Sequence, residues 1–159
     1  MGLLAAQAGL RADVILDGNR IFQEFKGALA EQYVQQELRA ECGLQPYYWA
    51  SSNGQSEVDF LVQQEMALVP VEVKAELNLT AKSLKAYCRK FAPPLSIRTS
   101  MANYHVQKLP LGETSLAYMQ LDIPLYALSQ LVAECNALCG ETNCPPPKKT
   151  PMAGPEAVS

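Results

Sequence analysis

The stretch that most constrains the fold is SEVDFLVQQEMALVPVEVKAE, residues 56–76. Two runs rich in Val, Leu and Phe flank a polar point at Glu65-Met66, the pattern of a β-hairpin. With the turn centred there, residues equidistant from the 65–66 midpoint face one another across an antiparallel pair. Val58 then meets Val73, Phe60 meets Val71 and Val62 meets Val69, forming one apolar face. The same register sets Asp59 opposite Glu72, with Cα atoms about 4.5–5.5 Å apart. Glu57 falls opposite Lys74.

Two carboxylates so placed repel. Like charges directly opposite destabilise a sheet, and in a partly dry site one acid is driven toward protonation. A divalent cation removes the conflict, because Mg2+ takes hard oxygen ligands, commonly one or two carboxylates with water or phosphate completing the shell. Lys74 beside it can orient or deprotonate a water, or stabilise a developing phosphate charge. The other reading of the same spacing is a solvated, salt-bridged hairpin face worth under about 1 kcal/mol.

Upstream, residues 20–41 (RIFQEFKGALAEQYVQQELRAE) carry the longest helical signal, without proline and ended by Cys42-Gly43. Its apolar stripe is expected through Gly27, Val34 and Leu38, broadened by Ile21, Phe22, Phe25 and Leu29. Glu31 falls within that stripe, so its carboxylate is expected to face the protein. A buried acid satisfied by backbone or by Lys74 is the competing reading. Elsewhere the pattern predicts a short helix at 3–10, a turn at 16–20, a strand at 45–50 and a turn cluster at 51–56. It continues with a helix at 78–91 capped by Asn78 or Thr80, strands at 95–101 and 104–111, and a final helix opening at Pro124. The helix at 78–91 exposes Lys82, Lys85, Arg89 and Lys90, which could contact phosphates, although such a run is more often only a solvated face. This order is mixed α/β with one sheet.

At 159 residues the chain has the length of one domain with its own core. We expect a domain over 1–139 and a proline-rich tail without apolar periodicity over 140–159. A net charge of −3 and a pI near 5.2 exclude a protein that coats nucleic acid through bulk charge, yet leave room for a local basic groove. The five cysteines, an odd number, point to a reducing cytoplasm. Cys135, Cys139 and Cys144 have a C-x3-C-x4-C spacing, but the one histidine, His105, lies thirty residues away and no fourth zinc ligand is near. Thiols are the favoured reading. The apolar opening lacks a basic n-region and reads as a packed helix. No apolar run approaches the roughly 20 residues of a bilayer span, so no membrane partner is expected.

D-x12-E-x-K in a hairpin, between a helix with an inward glutamate and a second helix, resembles the PD-(D/E)XK nuclease superfamily. GALAEQYVQQEL, YYWASSNGQSEVDFLV, VPVEVKA and IPLYAL, in that order, more closely resemble the DUF4143 family. That domain of unknown function usually forms the C-terminal part of bacterial and archaeal AAA+-type ATPases. The resemblance spans roughly residues 2–132. It implies a restriction-endonuclease-like αβββαβ core, a mixed central sheet flanked by helices. It also implies that Asp59 and Glu72 hold a metal, with the Val73 carbonyl adding a ligand. Lys74 would be the catalytic lysine, and Glu31 would reach the metal through water. The implied cofactor is Mg2+ or Mn2+.

Two departures qualify the pattern. Val58 stands where the superfamily often has proline, and no G-x-x-x-x-G-K-[ST] segment occurs. We therefore expect no ATP site in this chain, and an AAA+ ATPase domain that is separately encoded or missing. The start at MGLL leads us to expect an N-terminally truncated domain, whose uncovered apolar surface would give a homodimer or poor solubility. Two functions follow from this reading. One is metal-dependent phosphodiester hydrolysis of nucleic acid, with DNA as a candidate partner. The other is a non-catalytic regulatory or protein-interaction module of the ATPase.

Overall fold

The computed structural model describes residues 20–52, 54–64, 66–75, 81–112 and 116–141, with side chains from 27 to 138. Helix α1 (Arg20–Ala40) precedes strands β1 (Tyr47–Ala50), β2 (Glu57–Gln64) and β3 (Ala67–Val73). Helix α2 (Lys82–Phe91) leads to β4 (Leu95–Ser100), β5 (His105–Pro110) and β6 (Ala117–Pro124). A 3-10 helix (Leu125–Gln130) and α3 (Leu131–Glu141) follow. The six strands form one mixed sheet in the order β1-β2-β3-β4-β6-β5. Strands β1, β2 and β3 run antiparallel in turn, β3, β4 and β6 run parallel, and β5 lies antiparallel on β6.

Strands β3 and β4 are parallel, so their connection must cross over the sheet, and α2 makes that crossing. It buries Leu84, Tyr87 and Cys88. It ends at Ala92, whose backbone is left-handed (φ 47°) and whose N–H donates to the Cys88 carbonyl at 2.8 Å. Pro93-Pro94 then bars continuation. At the other end the N-cap is Ala81, which makes no side-chain cap bond. The expected caps Asn78 and Thr80 lie outside the described residues, as do the expected helix at 3–10, the turn at 16–20, Cys144 and residues 142–159.

Helix α1 covers one face of the sheet. Ala30, Val34 and Leu38, spaced by four, are buried with Val62, Val69, Val71, Ile97 and Leu121 in the main core. Each fully buried branched side chain there stabilises the fold by ~1.5–3 kcal/mol. Leu29, Val34 and Leu38 are buried as expected, but Gly27 and Glu31, placed in the same stripe, are exposed and Ala30 takes their place. On the opposite face Ala81, Leu84 and Cys88 pack with Leu111 and Tyr118. Tyr87 packs there with Val58 and Leu61, its ring edge-on to Trp49 at 5.1 Å.

The hairpin has the expected register, pairing Phe60 with Val71, Leu61 with Pro70, Val62 with Val69, Gln63 with Leu68 and Gln64 with Ala67. Toward its open end the simple alternation fails. Between the pairs Tyr47–Leu61 and Trp49–Val58, β1 advances two residues and β2 three. The extra residue is a bulge at Asp59-Phe60. It takes Val58 off the Val62–Val69 face, where it was expected, and sets it beside Leu61 and Tyr87. The β2–β3 ladder ends at Phe60–Val71, so Glu57 forms no ladder pair with Lys74; on its other side it pairs with Ala50 and accepts a hydrogen bond from the Tyr48 hydroxyl at 3.0 Å.

The second difference lies near the C-terminal end. Residues expected to open the last helix instead close a sixth strand, with Pro124 its final residue, and α3 begins only at Leu131. Among the described residues no helix is long and apolar enough to cross a membrane.

Candidate functional site

At Glu72 the third strand changes partners. Beyond the Phe60–Val71 pair the ladder to β2 stops, while β3 continues along β4 through Glu72–Arg98 and Val73–Thr99. Lys74 extends this pairing, its N–H donating to the Thr99 carbonyl at 2.8 Å. On the vacated side the Val73 N–H donates to Asp59 Oδ2 at 2.7 Å. The Asp59 carboxylate thus takes the place of a backbone acceptor across the split. The two acids share one corner of the sheet, although not as the cross-strand ladder pair the ideal register implied.

Glu72 is 5% exposed. Its Oε1 lies 2.6 Å from Lys74 Nζ, and its buried Oε2 has no hydrogen-bond partner among the described residues. An acid oxygen so placed bears its desolvation without return. Burial pushes the Glu72 carboxyl above the usual range; the Lys74 hydrogen bond pulls it back, Asp59 raises it further, and the Lys74 and Arg98 charges lower it. Burial likewise raises Asp59, opposed by the Val73 N–H and Lys74 and reinforced by Glu57. Glu31 is raised by burial and then by Asp59, Glu57 and Glu72, with Lys74 opposing. Expected within the buried stripe and facing the protein, Glu31 is instead exposed, although partly desolvated on its protein side. It stands on α1 at the edge of this corner, close enough to feel all three acids.

The corner therefore collects three carboxylates that each hold their protons more tightly than usual, and one lysine. Its residues come from α1, β2 and the end of β3, all within the segment that a family comparison matches: the model described as Domain of unknown function (DUF4143) covers residues 26–118. The chain belongs to the DUF4143 family. No curated protein matches it.

The chain carries a second group of buried charges, partly beyond the matched residues, that sequence reasoning did not single out. Arg98 Nε donates to Asp122 Oδ1 at 2.9 Å and Nη2 to Oδ2 at 2.7 Å. Gln120 Nε2 donates to Oδ1 at 3.0 Å, and the exposed His105 Nδ1 stands 3.9 Å from Oδ2. Register pairs Glu72 with Arg98, Arg98 with Asp122, and Asp122 with His105, so one polar row crosses four strands. The signal was present in YMQLDI, where Tyr118, Gln120 and Asp122 alternate with Met119, Leu121 and Ile123.

The four α2 cations, Lys82, Lys85, Arg89 and Lys90, are all exposed. Lys90 Nζ lies 5.2 Å from the Phe91 ring centroid. The cysteines do other work. Cys42 Sγ donates to the Leu128 carbonyl at 3.4 Å, and Cys135 is buried in the main core. Burial pushes the Cys88 thiol up to about 11, against the Ser96 and Tyr118 hydroxyls. Among the described residues no three His, Cys, Asp or Glu side chains come together closely enough to hold a metal by themselves.

Proposed function

We propose that this DUF4143 domain is a divalent-metal-dependent nuclease of the PD-(D/E)XK type, with a restriction-endonuclease-like core, that hydrolyses phosphodiester bonds of nucleic acid. The observation that carries this reading is the Glu72 carboxylate, buried, with one oxygen on Lys74 and the other without a partner. The donor set fits Mg2+ or Mn2+. Such ions are commonly held by one or two carboxylates, with water or phosphate completing the shell, so a side-chain trio is not required. Asp59, Glu72 and the Val73 carbonyl would hold the ion, with Glu31 contacting it through water.

A cation bound there supplies an acidified water and offsets phosphate charge. The chain's own groups do the rest. The Val73 N–H fixes the orientation of Asp59. Lys74, with its side chain 28% exposed, reaches both Glu72 and solvent. It can hold a proton beside the attacking water and steady the charge that develops on the phosphate. Glu31, exposed beside the corner, is a further acid that can take up a proton. The thiol inventory goes with a cytoplasmic setting, and the partner that the family context implies is an AAA+-type ATPase.

Cleavage of plasmid and oligonucleotide substrates in Mg2+ or Mn2+ tests this reading. Wild type should cleave, and Asp59→Ala, Glu72→Ala and Lys74→Ala should each lose about 100-fold or more. A wild type without cleavage, or an active Asp59→Ala, would sink the nuclease reading and leave an interaction module of the ATPase.

A further inference from the structure

The cations of α2 are not equivalent. Lys82, Lys85 and Arg89 fall at i, i+3 and i+7 and form one line along the helix. Lys90 falls off that line, over the Phe91 ring. Beside the line, a cleft of about 160 Å3 separates α2 from the β5–β6 hairpin, lined by Lys85, Arg89, Leu109, Pro110 and Tyr118. Among the described residues no carboxylate is ion-paired with Lys85 or Arg89. Tyr118 is 5% exposed, and its hydroxyl is engaged with the Cys88 thiol, so the ring forms a wall. Pro110 has no N–H to offer. Among the described lining residues the charge is therefore wholly positive and the walls are apolar.

The size limits what can enter. Small-molecule pockets span roughly 300–1,000 Å3, so this cleft suits a single anionic group whose remainder lies outside. A backbone phosphate meets that description, with its sugar resting against Leu109 and Pro110. Tyr118 lies near the start of β6, four residues before Asp122, which belongs to the Glu72 row. That is about 13 Å along the strand. The cleft and the carboxylate corner thus stand toward opposite ends of the sheet.

We propose that the cleft headed by Lys85 and Arg89 holds a phosphate of a nucleic-acid backbone, as an anchor separate from the carboxylate corner. The polymer in this statement rests on the nuclease reading; the anion rests on the cleft alone.

Binding of a short fluorescein-labelled oligonucleotide, followed by anisotropy in EDTA so that nothing is cleaved, tests the anchor. Lys85→Gln and Arg89→Gln together should weaken binding about tenfold or more at low salt. They should also flatten the dependence of log Kd on log salt by about 1 for each cation. Lys90→Gln removes one charge from the same helix and should change Kd less than twofold. Equal losses from Lys85→Gln and Lys90→Gln would mean diffuse attraction and would overturn the anchor.

Inorganic phosphate as competitor separates the two sources of the anion. Displacement of the oligonucleotide by phosphate from wild type, but not of what the double variant still binds, supports the cleft. Phosphate binding without oligonucleotide binding would overturn the backbone assignment. All these positions are exposed, and unchanged thermal midpoints verify folding. Metal-free binding should survive Asp59→Asn. Intact binding without cleavage in metal then counts against the nuclease reading alone, whereas cleavage indifferent to Lys85 and Arg89 counts against the anchor alone.

Discussion

Glu72 and Asp122 are both buried acids at 5% exposure, and Arg98 stands between them in the same row of the sheet. Their surroundings differ sharply. Asp122 has both oxygens filled, by a two-pronged guanidinium and by Gln120. Glu72 has one oxygen on Lys74 and one with no partner among the described residues. A saturated buried ion pair holds strands in register, while an unsaturated one costs stability and leaves a donor atom ready for a ligand. The first arrangement reads as architecture and the second as a site.

The contrast is most easily broken at Asp122. Asp122→Asn or Arg98→Met leaves an uncompensated buried charge or a broken fork and should cost ~3–5 kcal/mol, read from urea midpoints. The apolar double variant Arg98→Met/Asp122→Leu should regain most of that loss. A near-neutral Asp122→Asn would erase the distinction. Glu72 should respond in the opposite sense: in metal-free protein at neutral pH, Glu72→Gln should stabilise by about 0.5–2 kcal/mol, because it removes a charge the fold disfavours. The same variant should lose cleavage.

The pH dependence sharpens the same point. Asp59, Glu72 and Glu31 all hold their protons more tightly in the folded chain than the usual 3.8 for Asp and 4.5 for Glu. Between the unfolded and the raised folded values the native state carries more protons, so stability falls as pH rises through that window. The favourable contribution is complete below the unfolded values and absent above the folded ones. Denaturation midpoints measured upward from about pH 4 should show this decline in wild type and a shallower one in Glu72→Gln. The smallest effect is expected at His105, which is 62% exposed and 3.9 Å from Asp122. His105→Gln should shift stability by under ~0.5 kcal/mol.

Much of the fold could be read from the chain because its signals are local. The Val and Phe alternation about Glu65-Met66 gave the hairpin register, and the proline-free run from Arg20 gave α1. The corner itself was misread in detail for a non-local reason. The bulge at Asp59-Phe60 is set by pairing with β1, and no periodicity within β2 announces it. Glu31 was placed a step too far inward because Leu29 and the small Ala30 proved to be the buried members of its turn. The sixth strand was hidden by Pro124, which suits the first turn of a helix as well as the end of a strand. With that strand unread, Asp122 had no partner, since Arg98 is 24 residues away in the chain.

On the proposed reading, the corner of Asp59 and Glu72 holds a divalent cation. Calorimetric titration of Mg2+ and Mn2+ into wild type, Glu72→Gln and Asp122→Glu tests it directly. One site filled by millimolar metal or less is expected in wild type, lost in Glu72→Gln and kept in folded Asp122→Glu. No binding by wild type, or equal binding by Glu72→Gln, would contradict it.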